Sequence, residues 1–279
     1  MTDGPALLKA VIANPDEDTP RLVYADWLDE NGEEARAEFI RSQVQLAGMN
    51  AWDEGFTELD IRCRELERAH PEWVEPVGAF VQRGEVFSGD RDYPFQRGFP
   101  RKVRVTAGQF ADYRRDILKG TPARHVEFEL DDGHVRLAKL SGLSWLTAVD
   151  FAYVRSPGAL RTVLACLERF DNLKHFGIIG SSLPASQAER VFASGAVGGV
   201  QSLLIQGTRL PDAAEATLTG LDWPPLRKLV RKLVTHLDWL RAPWVAQLHE
   251  LTIYDSEPLL TAGQTRLLAD ILPDTELRK

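Results

Sequence analysis

A six-letter phrase, apolar-x-x-apolar-x-apolar, recurs along this chain with nearly constant spacing. Leu146-Thr147-Ala148-Val149-Asp150-Phe151 carries it, and so do Leu173-Lys174-His175-Phe176-Gly177-Ile178, Val200-Gln201-Ser202-Leu203-Leu204-Ile205 and Leu248-His249-Glu250-Leu251-Thr252-Ile253. Weaker copies begin at Pro100, Ala123 and Leu226, and successive starts step by 23, 23, 27, 27, 26 and 22 residues. A unit this short cannot bury its own apolar face, so neighbouring units must stack and share one core. Within each phrase the alternation is that of a strand, with the first, fourth and sixth letters inward and the odd letters of each strand outward. The inward set is Val103 and Val105, Val126 and Phe128, Val149 and Phe151, Phe176 and Ile178, Leu203 and Ile205, Leu251 and Ile253.

A period of about 20–29 residues built on such a phrase is that of leucine-rich repeats. The expectation for residues 100–279 is therefore an irregular leucine-rich-repeat solenoid with a short-stranded parallel sheet. The returning segments read as helical in places, at Gly158 to Phe170, Ala185 to Ala193 and Ala213 to Leu218. A solenoid end needs a cover, and Thr261 to Leu272, with Leu267, Leu268 and Ile271 inward, is the expected C-terminal cap. The copy at Leu226 has Arg231 as its sixth letter, so either the strand slips register there or Arg231 reaches to the edge.

Residues 1–81 follow a helical period instead. Ala6 to Ala13 places Leu7, Leu8, Val11 and Ile12 on one stripe, and Asn14-Pro15 ends it because the residue before proline avoids the α region. Thr19-Pro20 reads as an N-cap with proline at the first helical position. The helix after it carries Val23, Tyr24, Trp27 and Leu28 at core spacing, and Asn31-Gly32 stops it. A third helix from near Glu33 presents Phe39, Ile40 and Val44. A fourth covers Asp53 to Ala69 with Ile61 and Leu66 inward, and a short one is expected around Trp73 to Val81. Residues 82–99 form a connecting segment. Asp16-Glu17-Asp18 lacks the glycine and closing glutamate of a calcium loop, so these are acids placed where the helix dipole favours them. Asp26, beside Trp27, is expected to pair with Arg36 or Arg41 and fix how two helices cross.

The stretch from Asn14-Pro15-Asp16 through Thr19-Pro20-Arg21-Leu22-Val23-Tyr24-Ala25-Asp26-Trp27-Leu28 to Asn31-Gly32, with Arg36-Ala37-Glu38-Phe39-Ile40-Arg41 after it, resembles the repeat-companion domain. This is a short N-terminal module found beside repeat regions in some bacterial proteins, and the resemblance covers about residues 1–50. Phe95-Gln96-Arg97-Gly98-Phe99 is similar to a phrase that leads into the repeats of such proteins. The resemblance implies an architecture, a helical module ahead of repeats, and no particular activity. Whether the helices cover the solenoid or form a separate lobe stays open.

The composition sorts the function classes. The net charge is −8, but residues 1–76 hold 18 acids against 7 bases while the rest holds 23 against 26. Overall acidity disfavours non-specific nucleic-acid binding. No run approaches about 18 apolar residues, so no membrane span is expected, and the start lacks the basic n-region of a secretory signal. Cys63 and Cys166 are far apart, which predicts no disulfide framework and a cytoplasmic setting.

Catalytic phrases are missing: there is no Gly-x-x-x-x-Gly-Lys, no His-Glu-x-x-His and no Gly-x-Ser-x-Gly. His125, His175 and Glu250 share the outward face but sit on separated strands, so no metal site is expected, and no cofactor. Basic clusters at Arg97, Arg101, Lys102 and Arg104 and at Arg227, Lys228, Arg231 and Lys232 lie five strand steps apart, roughly 24 Å. They read as solvated edges, with nucleic-acid or phosphate-ligand binding as the alternative. An enzyme of unrecognised type would need a cleft with converging ionisable groups. The expected function is non-enzymatic recognition of another protein through the outward strand face, contacted by Asp150, His175, Ile179, Leu204, Gln206, Val230 and Tyr254. Ile179, Leu204 and Val230 would form an exposed apolar stripe across it.

Overall fold

The computed structural model describes residues 3–50, 52–74, 95–130, 134–139, 143–181, 185–206, 220, 226–232, 242–254, 266 and 276–278. The chain divides into two compact units, Met1–Arg104 with Tyr113–Arg124, and Val105–Asp112 with His125–Lys279. The fold class is mixed α/β, with helices in the first unit and a parallel sheet in the second.

The first unit holds α1 (Gly4–Ala13), α2 (Thr19–Glu30), α3 (Glu34–Ala47) and α4 (Phe56–Ala69). A 3-10 turn at Pro71–Val74 and the antiparallel pair β1 (Phe95–Gln96) and β2 (Phe99–Pro100) follow. Val11, Ala25, Leu28, Ala37, Ile40 and Phe99 make one buried cluster, with Leu8, Tyr24, Trp27 and Val44 packed on it. Two expected core residues are exposed instead, Val23 at 45% and Ile61 at 51%. The buried line of α2 runs through Arg21, Ala25 and Leu28, at i, i+4 and i+7, which turns Val23 away. That of α4 runs through Phe56, Asp60 and Cys63, one position off Ile61. Helix α2 starts at Thr19 with Asp18 ahead of it, and no side chain caps it. The Asp18 carboxylate faces Arg97 Nε at 3.4 Å.

Arg36 is a cation used as core. Its guanidinium carbon lies 4.8 Å from the Trp73 ring centre, 5.4 Å from Phe99, 5.5 Å from Phe39 and 5.8 Å from Phe95. It donates to Gly98 O at 2.6 Å. Burial lowers its pKa to about 10, so it stays charged at neutral pH and is held by the ring faces. Asp26 therefore pairs with Arg41, at 2.8 Å, alongside Asp29 at 3.0 Å. Asp26 is 67% exposed, so this is a surface clamp, worth at most about 1 kcal/mol.

The turn between β1 and β2 docks on α3. Gly98 has φ +81°, and a Cβ there would lie 2.6 Å from Ile40 Cγ1. The Gly98 N–H donates to Gln43 Oε1 at 3.3 Å, and Arg97 donates to Asp16 O at 2.7 Å. The Gln96-Arg97-Gly98-Phe99 phrase is thus a docking turn of this unit.

The strand β3 (Lys102–Thr106) and helix α5 (Ala107–Gly120) span the division between the units. The second unit then carries β4 (His125–Glu129), β5 (Ala148–Ala152), β6 (His175–Ile179), β7 (Ser202–Gln206), β8 (Lys228–Lys232), β9 (Glu250–Tyr254) and β10 (Glu276–Arg278). Among the described residues these seven lie side by side in chain order, all parallel. Each of β3 to β9 begins two residues after a phrase begins. The copy at Leu226 keeps the common register, Leu203↔Leu229 and Leu229↔Leu251, so no slip occurs there.

The inward letters make the core. Val126, Phe128, Val149, Phe151, Phe176, Ile178, Leu203, Ile205, Leu229 and Leu251 are all buried. Phe110, Phe128, Phe151 and Phe176 form a ladder with ring centres 4.9, 5.6 and 6.3 Å apart. The returns include α6 (His134–Leu137), α7 (Pro157–Leu167), α8 (Ala185–Phe192), α9 (Gly195–Gly198) and a 3-10 turn at Pro243–Gln247. Ser156 caps α7 by accepting from Ala159 N at 3.0 Å, ahead of Pro157 as capping chemistry favours. Helix α5 and strand β10 are additions to the sequence reading. The expected helix at Ala213 to Leu218, the expected cap at Thr261 to Leu272 apart from Arg266, residues 75–81 and most of the 82–99 connection lie outside the described residues. Among the described residues no helix is long and apolar enough to cross a membrane.

Gly98→Ala must place a Cβ in the left-handed region against Ile40. It is expected to cost at least about 2 kcal/mol, read as a lowered denaturant midpoint with an unchanged slope.

Candidate functional site

In-register pairing decides which outward letters meet. His125, Ala148, His175, Ser202, Lys228 and Glu250 form one row across β4 to β9. Glu127, Asp150, Gly177, Leu204, Val230 and Thr252 form the next. Glu129, Ala152, Ile179 and Gln206 begin the third.

Four polar side chains converge where the first two rows cross β4 to β7. Only a methyl, that of Ala148, separates the two histidines in their row, and their rings stand 5.0 Å apart, tilted by 57°. Asp150 reaches between them from the second row. Its Oδ2 accepts from His125 Nε2 at 2.8 Å, and its Oδ1 accepts from His175 Nε2 at 3.0 Å. With the proton on Nε2 of a neutral ring, His175 Nδ1 accepts from the Ser202 hydroxyl at 2.8 Å. The neighbour of Asp150 on β6 is Gly177, and a Cβ there would overlap the carboxylate, lying 2.8 Å from Asp150 Cγ. The absent side chain is the space the carboxylate fills.

The Asp150 side chain is 0% exposed, while those of His125 and His175 are 17% and 20% exposed. Burying a carboxylate is costly unless donors replace its water, and the two imidazoles supply one donor to each oxygen. Further along the first row, Lys228 is held by Glu250 at 2.9 Å.

This arrangement permits some chemistry and excludes some. Ser202, His175 and Asp150 stand in the order of nucleophile, base and orienting acid. Acyl transfer also needs free backbone donors for the developing oxyanion, and the strand amides are engaged in the ladder; Ser202 N donates to Lys174 O at 3.0 Å. Two imidazoles and a carboxylate are also a metal donor set, and one ligand atom from each of His125, Asp150 and His175 lies within 4.8 Å of the others. The thiols offer nothing reactive. Cys63 and Cys166 are free and buried, and burial pushes both up to about 12.

The predicted contact residues separate into two groups. Asp150, expected as an outward contact, is buried as the shared acceptor of two imidazoles and touches no solvent. Val230 is only 8% exposed and adds little to the expected apolar stripe. Ile179, Leu204 and Gln206 are half-buried, and His175 sits at the edge of the cluster. The side chain of Tyr254 lies outside the described residues. The expectation that His125 and His175 stay apart is corrected. Two strand steps are about 10 Å between backbones, but imidazoles leaning across an alanine close that gap. The sequence signal was the pair of small outward letters, Ala148 and Gly177, beside three chemistry-bearing ones.

No protein-family model matches this chain, and no curated protein sequence matches it.

His125→Ala or His175→Ala would remove one donor from the buried carboxylate. Each is expected to cost about 1–3 kcal/mol. Ser202→Ala removes only an outer hydroxyl, and is expected to cost less than either in equilibrium unfolding.

Proposed function

We propose that the chain is a non-enzymatic recognition scaffold, a repeat-companion module followed by an irregular leucine-rich-repeat solenoid, which binds another protein through the outward face of its strands. What supports the repeat assignment is coincidence of phrase and strand: in-order, in-register parallel strands start at one fixed offset from each sequence phrase. The observation that carries the functional reading is the change in character along the rows. Around β4 to β6 the outward letters are mainly polar groups, with Glu127 and Asp150 buried, and at β6 and β7 they become the half-open Ile179, Leu204 and Gln206. A rigid sheet presenting apolar side chains beside a polar rim is the composition of a protein contact. The contacts are thus Ile179, Leu204, Gln206 and the exposed edge of His175, with Asp150 holding that imidazole in place. The two buried, free thiols suit a reducing compartment.

The test is partner capture by the whole chain. Ile179→Glu with Leu204→Arg is expected to lose the partner, while Val135→Arg, at an exposed position on α6, keeps it at matched thermal stability. Equal capture by both variants would contradict the assignment of the face.

A further inference from the structure

We propose that His125, Asp150 and His175 bind one divalent transition-metal ion of the Zn2+ class, each through a single side-chain donor atom. The proposal goes beyond the recognition reading and stands independently of it.

The donors have the right identity. Two imidazole nitrogens and one carboxylate oxygen suit Zn2+ and its first-row neighbours, whereas Ca2+ and Mg2+ select all-oxygen sets. They also have nearly the right spacing. Metal–donor bonds of about 2.0–2.1 Å in a tetrahedron put donors roughly 3.3 Å apart. One donor atom from each residue lies within 4.8 Å of the others, and the imidazole nitrogens stand 2.8 and 3.0 Å from different oxygens of Asp150, so the carboxylate turns with the rings to bring one oxygen to the ion beside both nitrogens.

The surroundings agree. Gly177 and Ala148 keep bulk away from the carboxylate and from between the rings. Ser202 Oγ lies 2.8 Å from His175 Nδ1, where its oxygen can equally accept from an Nδ1–H, the tautomer that frees Nε2 for a metal. Fixing the far nitrogen in this way is the usual support for a ligating histidine. A dication would offset a carboxylate that has no exposure of its own. Three protein donors leave one coordination position, and the partial exposure of both histidines places it toward solvent.

The test uses the full chain, stripped with chelator and titrated with Zn2+ by calorimetry and with Co2+ by visible absorption. The expected result is one ion per chain, a Co2+ spectrum of low coordination number and a raised unfolding midpoint with Zn2+. His125→Gln and His175→Gln should each weaken binding about 100-fold and Ser202→Ala about 10-fold, since outer partners of ligands matter by roughly this factor. Cys63→Ala with Cys166→Ala should leave binding unchanged. No uptake by the wild type, or wild-type affinity retained in the two histidine variants, overturns the proposal. Should those variants fail to fold, the wild type decides alone: Zn2+ must move the imidazole nitrogen resonances of His125 and His175 and leave those of His70 and His134 in place. The reverse pattern overturns it.

Discussion

The register of the parallel ladder is the constraint on which the second unit depends. Five-residue strands pair in chain order with no offset between copies. Every letter of the phrase therefore has the same neighbours along the sheet. A slip of one residue would exchange the two faces of a strand. It would turn Phe128, Phe151 and Phe176 to the outward face and put His125, Asp150 and His175 on the core face in their place. The strand at Lys228 shows how strongly this binds, because it holds the common register despite an arginine at its sixth letter. Leu229 still meets Leu203 and Leu251, and neighbours on both sides fix it.

The same register makes chemistry out of spacing. Residues 25 and 27 positions apart in the chain become lateral neighbours, so His125, Asp150, His175 and Ser202 form one hydrogen-bonded chain across four strands. What lets them close is what the adjacent letters lack: the methyl of Ala148 and the bare backbone of Gly177. A buried charge is held by polar partners here, and by aromatic faces at Arg36 in the first unit. In both places the charge is specified by its surroundings more than by its pairing with an opposite one.

Much of this was legible in the residues. The strands followed from a period-two phrase repeated at nearly constant distance, and the helices α1 to α4 from a 3.6-residue period with proline and glycine stops. Helix α5 has a signal in the residues too, since Phe110 and Ile117, both buried, stand seven residues apart as a helical face requires. Strand β10 offers a single apolar letter, Leu277, and forms by backbone pairing with β9, which no hydropathy pattern announces. The cluster is not legible in strand spacing alone, because side-chain reach closes a gap that the backbone leaves open. The burial of Asp150 is not legible in the phrase, because alternation assigns a direction without saying what closes over it. The Arg36 cage needed residues some sixty positions apart, Phe95 to Phe99, to be brought onto α3, and no local pattern holds that information.

The most direct test of this account is a double-mutant cycle between Gly177 and Asp150 in equilibrium unfolding. If the carboxylate fills the space left by the glycine, Gly177→Ala is strongly destabilising in the wild type and much less so once Asp150→Ala has removed the carboxylate. The predicted coupling exceeds about 1 kcal/mol, within the range found for residues in contact. Additive effects within about 0.3–0.5 kcal/mol, the behaviour of distant sites, would mean that the two do not meet across β5 and β6, and would contradict the register from which the site follows.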